Sequence, residues 1–383
     1  MNAADNTLIP GAANSVGSKA YVARFAETLA EEHFSDFLNT RIKLSSLGVG
    51  TFPGAVDDVT DLAVAAIVAQ ALQSGINVID TGANYRFGRA GRAVGAGIAK
   101  AMAAGILREE FFVVGKGGFL TFTGGRPEDP LAFFREEVVA KGLGKEEDLA
   151  QNVHCLSPKY IAWQLDDLRS QTGLETLDVF LVDQPEVHIP LIGKERMYQK
   201  LIQVFSVLEQ AVKENKIRYY GISTFNACRV ETDHSLFQSL TSLIGLAEKA
   251  AGEGNRHHLR VVELPFNALM PEAYTRFSQV TGQGNIGSTI QAAFQLKLTV
   301  MASHTLGKGL LAQEEIPSLQ EGIPELANAA QRAIQFVRST PGIGVTLVGM
   351  SSPLHLADFL AVAKQLPLPK ERYLAMFEKE KQV

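Results

Sequence analysis

The chain has 383 residues, 46% apolar and 20% charged, which suits one large α/β barrel or two ordinary domains and argues against disorder. A net charge of −5 gives no reason to expect nucleic acid or an anionic membrane as a partner. No run approaches the roughly 18 apolar residues of a membrane span, no signal-peptide pattern opens the chain, and two cysteines, Cys155 and Cys228, make no disulfide framework, so the expectation is a cytoplasmic protein.

In chain order, residues 1–40 form an extension ahead of the first strand. Within it "YVARFAETLAEEHFSDFL" is amphipathic and predicts a helix packed on the single domain that follows, 41–383. Eight strand-like runs come next, at 44–52, 77–81, 111–115, 177–183, 217–224, 259–265, 299–303 and 344–350. Helical stretches separate most of them. Residues 61–74 place Leu62, Ala65, Ala66, Ala69 and Leu72 on one face, with Gly75 to end the helix. Ser157-Pro158, an N-cap and a first-turn proline, opens "YIAWQLDDLRSQTG", where Trp163 takes a core-facing position. Ser352-Pro353 repeats that signal before "LHLADFLAVAKQL". The glycines of "GRAGRAVGAG" read as helix packing better than as a phosphate loop. The charged stretch 117–152 is either a loop that shapes a substrate pocket or a solvated helical excursion. Eight alternating units favour a (β/α)8 TIM barrel, with an N-terminal extension and long βα loops, over an open doubly wound sheet.

The chemistry gathers at two strand ends. "NVIDTGANY" carries Asp80 and Tyr85, and "FFVVGKGG" carries Lys116. Such ends lie on the catalytic rim of a barrel. There a lysine favours the phenolate of a neighbouring tyrosine and a carboxylate holds the lysine charged. A phenol tuned down from about 10 is a general acid near neutrality. His154 and Cys155 lack the second half of a metal site, so no metal is expected.

These motifs, with "LGVGTFPG", "LETLDVFLVDQPE", "AVKENKIRYYGIST", "TLGKGLL" and "VTLVGMSSP", resemble the aldo-keto reductase superfamily from about Lys43 onward. The likeness is greatest to a bacterial branch with a long insert after the lysine strand and an "HCxxPxY"-like segment, here "HCLSPKY". The resemblance implies an NADPH- or NADH-dependent oxidoreductase, with NADPH slightly preferred, acting on a small carbonyl or enone substrate. Tyr85 would be the general acid, tuned by Lys116 and Asp80. Ser223, Thr224 and Glu263 match the positions that hold the nicotinamide amide. Thr305, Leu306, Gly307, Lys308, Gly309 and Leu311 match the pyrophosphate loop. Gly349, Ser351 and Ser352 match the adenosine phosphate site at the start of the "LHLADF" helix, where free N–H groups and the helix dipole suit a phosphate. His355 stands where NADP-specific members often have arginine.

One departure bears on the reaction. The family's fourth catalytic residue is a histidine in an "LxxHxPE"-like run; here "FLVDQPE" places Asp183 there. An ionised carboxylate only accepts hydrogen bonds. Three readings follow. A protonated Asp183 donates in place of histidine. An acidic residue also stands here in a related branch that reduces steroid C=C bonds. In the third reading the reductase activity is altered, redox-neutral or lost. His188 and His304 are the candidates to replace the missing histidine.

Overall fold

A computed structural model of the chain describes residues 8–282 and 284–379. The outer ends of the expected extension and barrel domain, 1–7 and 380–383, lie outside the described residues. Eight parallel strands hydrogen-bond in sequence order: β1 Leu47–Gly50, β2 Val78–Asp80, β3 Phe112–Gly117, β4 Leu177–Asp183, β5 Ile217–Ser223, β6 Leu259–Pro265, β7 Thr299–Ser303 and β8 Ile343–Gly349. β8 returns to β1, with Thr346 beside Leu47 and Gly349 beside Gly50, so the sheet is a closed barrel and not an open one. Around it run α1 Asp58–Gln73, α2 Ala90–Ala103, α3 Pro158–Thr172, α4 Lys194–Lys213, α5 Leu240–Ala251, α6 Thr289–Gln295, α7 Ala329–Arg338 and α8 His355–Ala363. Among the described residues no helix is long and apolar enough to cross a membrane.

Strand periodicity sorts the side chains. Val78, Phe112, Val114, Val179, Leu181, Val261, Met301, Val345 and Leu347 form one buried cluster inside the barrel. Their chain neighbours Ile79, Val113, Phe180 and Val182 belong to a second cluster shared with the helices. Alternation by two thus gives each strand an inward and an outward set.

The extension closes the lower mouth. A helix, Ser15–Phe25, is capped by Asn14, whose side-chain oxygen accepts from the Val16 and Gly17 amides at 2.9 Å. The helix expected over residues 21–38 stops at Phe25. A 3-10 turn, Glu31–His33, and an antiparallel hairpin, Phe34–Asp36 with Lys43–Ser45, take over. Tertiary packing overrides the helical pattern: Phe37, 1% exposed, packs on Phe112 and Tyr219 with ring centroids 5.1 and 5.2 Å away. Burying one such ring contributes about 1.5–3 kcal/mol. The first predicted strand therefore splits, its start belonging to the hairpin and its remainder to β1. Asp178 ties the extension down, accepting from the Ala13 and Val113 amides at 2.8 Å and from Arg108 at 2.7 Å.

Several boundaries and faces differ from expectation. α1 starts at Asp58, capped by Asp57 through the Thr60 amide at 2.7 Å. Its buried face is Val64, Ala65, Ile67, Val68, Ala69, Ala71 and Leu72, so the expected Ala65, Ala69 and Leu72 are inside while Leu62 is exposed. Ser157 does sit at the N-cap of α3, yet its hydroxyl donates to the Leu143 carbonyl at 2.6 Å. Trp163 is not a core residue; it is 40% exposed. The segment from Ser351 to Leu354 is a turn, so α8 begins at His355, and a further helix, Lys370–Lys379, follows it. The glycines of α2 are crossing points: a Cβ on Gly91 would lie 2.4 Å from Gln171 Oε1, and one on Gly97 would lie 2.7 Å from the Ala65 carbonyl. The 117–152 insert is not a solvated excursion. It carries a helix, Pro130–Phe134, and Leu149–Ala150, which pairs with His154–Cys155, and its Leu120, Phe122, Phe134 and Val138 share a core with Cys155 and with Tyr160 of α3.

Candidate active site

The inward set of each strand ends in a layer at the C-terminal rim. Asp80 lies two residues beyond Val78, Lys116 beyond Val114, Asp183 beyond Leu181, Ser223 beyond Gly221 and Glu263 beyond Val261. On the remaining strands the same layer is small: Ser303, Gly349 and Gly50. Half of the rim is therefore charged and half of it open.

Lys116 is the hub. Its Nζ lies 2.9 Å from Tyr85 Oη, 3.0 Å from Asp80 and 2.6 Å from Glu263 Oε1. Lys116 is 2% exposed, and Asp80, Asp183 and Glu263 are also buried. Ser223 donates to Glu263 Oε1 at 3.3 Å. Tyr85 rises from the loop after β2, and Phe52, 64% exposed, meets its ring edge-on at 5.1 Å. The structure thus brings together Asp80, Tyr85, Lys116 and Asp183, and adds two neighbours: the Glu263 carboxylate directly on the lysine and the Phe52 ring over the tyrosine.

Three carboxyls share one buried lysine, and that sets the electrostatics. Burial pushes Asp80 up to about 8; Lys116 pulls it down and Glu263 pushes it further up. Burial likewise pushes Asp183 up to about 7, with Lys116 opposing and Glu263 adding. For Lys116 burial works against the charge, but Asp80 and Glu263 outweigh it and its pKa lies well above 10.5. Tyr85 departs from the expected lowering. Burial, with Asp80, Glu263 and Asp183, outweighs Lys116 and holds the phenol well above 10. The phenol is therefore fully protonated at neutral pH.

Behind Asp183 lies a histidine relay. His154 Nε2 is 2.6 Å from the Asp183 carbonyl oxygen, and His154 Nδ1 is 2.9 Å from His188 Nε2. A carbonyl only accepts, so His154 Nε2 carries a hydrogen, and His188 Nε2 must then donate to the bare Nδ1. Burial lowers His154 to about 4 and His188 to about 3, so both are neutral. Gly118, at φ +134°, makes room: a Cβ there would lie 2.4 Å from His154 Nε2. His188 thus supports the strand end from behind and does not take the place of the absent histidine. His304 stands edge-on to Phe225 at 5.2 Å, beside Ser303.

Opposite ionisation trends give the fold a pH signature. The raised Asp80 and Asp183 keep protons that the unfolded chain has lost, so their stabilisation is full below about pH 4 and lost as pH rises through about 7 and about 8. The lowered imidazoles act the other way and cost stability only as pH falls below 6.5. Thermal melts should therefore decline from about pH 6.5 to about pH 9, and Asp183→Asn should flatten the early part of that decline. A profile flat across this range would show that the carboxyls are ionised in the fold.

The positions matched to a cofactor are divided. Ser223 and Glu263 face the cluster, and Glu263 Oε2 is buried with no partner among the described residues. Thr224 turns away: its hydroxyl donates to Glu186 at 2.6 Å and accepts from the Ala227 amide. Thr305 donates to the Leu347 carbonyl at 2.7 Å, and Leu311 is buried. Gly307, Lys308 and Gly309, at φ +53°, +60° and +97°, form a left-handed run after β7, and Gly349, which ends β8, is exposed. Ser351 and Ser352 precede the first turn of α8 and do not start it, while His355 does.

Closed barrel, charged rim and buried Lys–Tyr–Asp group together make a (β/α)8 fold with its titratable cluster at the C-terminal rim. The model of the Aldo/keto reductase family matches residues 46–237, half of the chain, and the chain belongs to that family. Its fold is similar to the glycerol dehydrogenase of Gluconobacter oxydans, at TM-score 0.64 and 17% identity, over 92% of this chain and 96% of that one. It is also similar to an aldo-keto reductase of Bacillus halodurans in its holo form, at 0.62 and 16%, over 90% and 95%. An aldo/keto reductase from Klebsiella pneumoniae, solved with NADP and acetate, matches at 0.59 and 16%, over 89% and 93%.

Proposed function

We propose that this protein reduces the carbonyl of a small molecule with NADPH or NADH, Tyr85 giving the proton. The observation that carries the reading is the 2.9 Å contact between Lys116 Nζ and Tyr85 Oη among the buried carboxyl groups of Asp80, Asp183 and Glu263. The residues fit a nicotinamide. Gly50, Ser303 and Gly349 leave one side of the rim free of bulk. The orphaned Glu263 Oε2 suits a carboxamide N–H, with the Ser223 hydroxyl beside it. Lys308, Ser351 and Ser352 lie on the adjoining β7 and β8 loops, where the phosphates would run. When bound, the dinucleotide supplies a hydride.

The chain's own residues do the rest. Tyr85 holds a proton on Oη, and an alkoxide is basic enough to take it despite the raised phenol. Lys116 then faces a phenolate at hydrogen-bond distance and offsets its charge. Asp80 and Glu263 orient the ammonium. Asp183 stands where a neutral donor is required, and its carboxyl, pushed up to about 7, is held largely as the acid on the low side of neutrality. Fluorescence titration of the nicotinamide against purified protein tests the cofactor; NADPH should lead, and absence of saturable binding by either dinucleotide would overturn the reading. From Gly349 to His355 there is no arginine or lysine to pair a 2′-phosphate, so NADPH should lead by a small margin only.

The carboxyl at 183 also favours a second reading, in which it serves as a carboxylate base beside Tyr85, for an enone C=C or for redox-neutral proton transfer. Substitution separates the two. Asp183→Asn keeps a donor of the same shape, so it should retain turnover and lose the fall in rate between about pH 6 and 8. Asp183→His should strengthen reduction of simple aldehydes. A dead Asp183→Asn with no gain in Asp183→His makes the base reading the better one.

A further inference from the structure

The insert encloses a second concavity, separate from the Lys116 cluster. A cavity of about 360 Å3 lies outside the barrel wall, between the start of α2, the insert and α3. Small-molecule sites span about 300–1,000 Å3, so this one suits a compact ligand. Trp163, Asp167 and Gln171 are spaced by four along α3 and present one stripe to it.

The stripe has an aromatic end and a polar end. Trp163 stacks on Tyr160 with centroids 5.5 Å apart and planes 27° from parallel. Tyr160 is buried, and its hydroxyl accepts from the Thr121 amide and the Gln164 side chain at 3.3 Å, so the platform is fixed. Trp163 itself is 40% exposed. At the polar end Gln171 donates to Asp167 Oδ2 at 2.6 Å and orients that carboxylate. Arg92 lines the same cavity, and its charge reaches Asp167, yet no ion pair closes between them among the described residues. An open acid–base pair beside a flat aromatic face matches a ring that both donates and accepts. Glu137 on the same wall pairs with Lys141 at 2.5 Å, so Asp167 and Arg92 are the opposed charges a ligand meets: a purely apolar ligand would leave them unmet, a cation would meet Arg92, and an anion would meet Asp167.

We infer that this cavity binds one ring of a neutral sugar, its apolar face on Trp163 and neighbouring hydroxyls between Asp167 and Arg92. The site does not depend on the redox reading. Trp163 is the only tryptophan in the chain, so its emission reports this cavity. The probes are methyl glycosides of glucose, galactose and mannose, whose locked anomeric carbon leaves no aldehyde to reduce. At least one should shift the emission saturably, with a Kd of about 1–10 mM, matched by calorimetry and unchanged by NADPH. Glycerol, which has no ring, should give no saturable shift. Asp167→Asn and the exposed Arg92→Ala should each weaken binding about tenfold, and Trp163→Phe, read by calorimetry, should weaken it severalfold. No saturable signal from any glycoside in either measurement overturns the inference. So does glycoside binding indifferent to both Asp167→Asn and Arg92→Ala, or a cavity that takes phenol and refuses every glycoside.

Discussion

Tyr85→Phe should lower turnover by about 10²–10⁴, the usual contribution of a positioned general acid, and leave cofactor affinity nearly unchanged. The structural cost should be small. Among the described residues the Tyr85 hydroxyl has one hydrogen bond, to Lys116 Nζ, while the ring keeps its edge contact with Phe52. Steady-state rates beside a dinucleotide titration give both quantities from one preparation. A Tyr85→Phe protein that turns over at near the parent rate refutes the role of the phenol.

Lys116→Met should be more damaging because it removes the cation and leaves the carboxyls. Asp80 and Glu263 each lose their contact with Nζ in a buried layer. Breaking a buried ion pair by removing one partner typically costs about 3–5 kcal/mol. Turnover should fall at least as far as in Tyr85→Phe, since a nascent phenolate would have no charge to meet. The loss of stability should be pH-dependent: larger at about pH 8, where the unfolded chain is ionised while the buried Asp80 carboxyl, already pushed up to about 8 and deprived of the lysine that lowers it, must keep its proton, and smaller near pH 5, where keeping it costs little. Melts of parent and variant at the two pH values check this. An equal loss at both would mean that packing of the lysine stem, not its charge, is what the site uses.

The barrel was legible because its strands are apolar, β-branched runs with helical stretches between them, and seven of the eight keep their expected place within two residues. The rim was legible for the same reason. Once Val114 and Leu181 point inward, Lys116 and Asp183 must follow two residues on. What closes through space was not legible. Glu263 meets Lys116 from 147 residues away, and no local pattern announces that contact. The expected fall of the Tyr85 pKa counted the lysine and missed the combined weight of burial and three carboxyls. His154 stood in a conspicuous "HCLSPKY" run, yet its partner is a main-chain carbonyl, which has no residue signature. The hairpin was hidden behind a sound amphipathic pattern, because the benefit of seating Phe37 exists only after the walls stand.

That seating orders the assembly of the molecule. Phe37 rests on Phe112 of β3 and Tyr219 of β5, so its socket is complete only when five of the eight wall strands have been laid down. A piece translated early is thus locked in late, through contacts of long sequence separation that form slowly. Until then Val179 and Leu181 lie on the uncovered inner face of an open sheet, and a chain halted before β5 presents that apolar face to its neighbours.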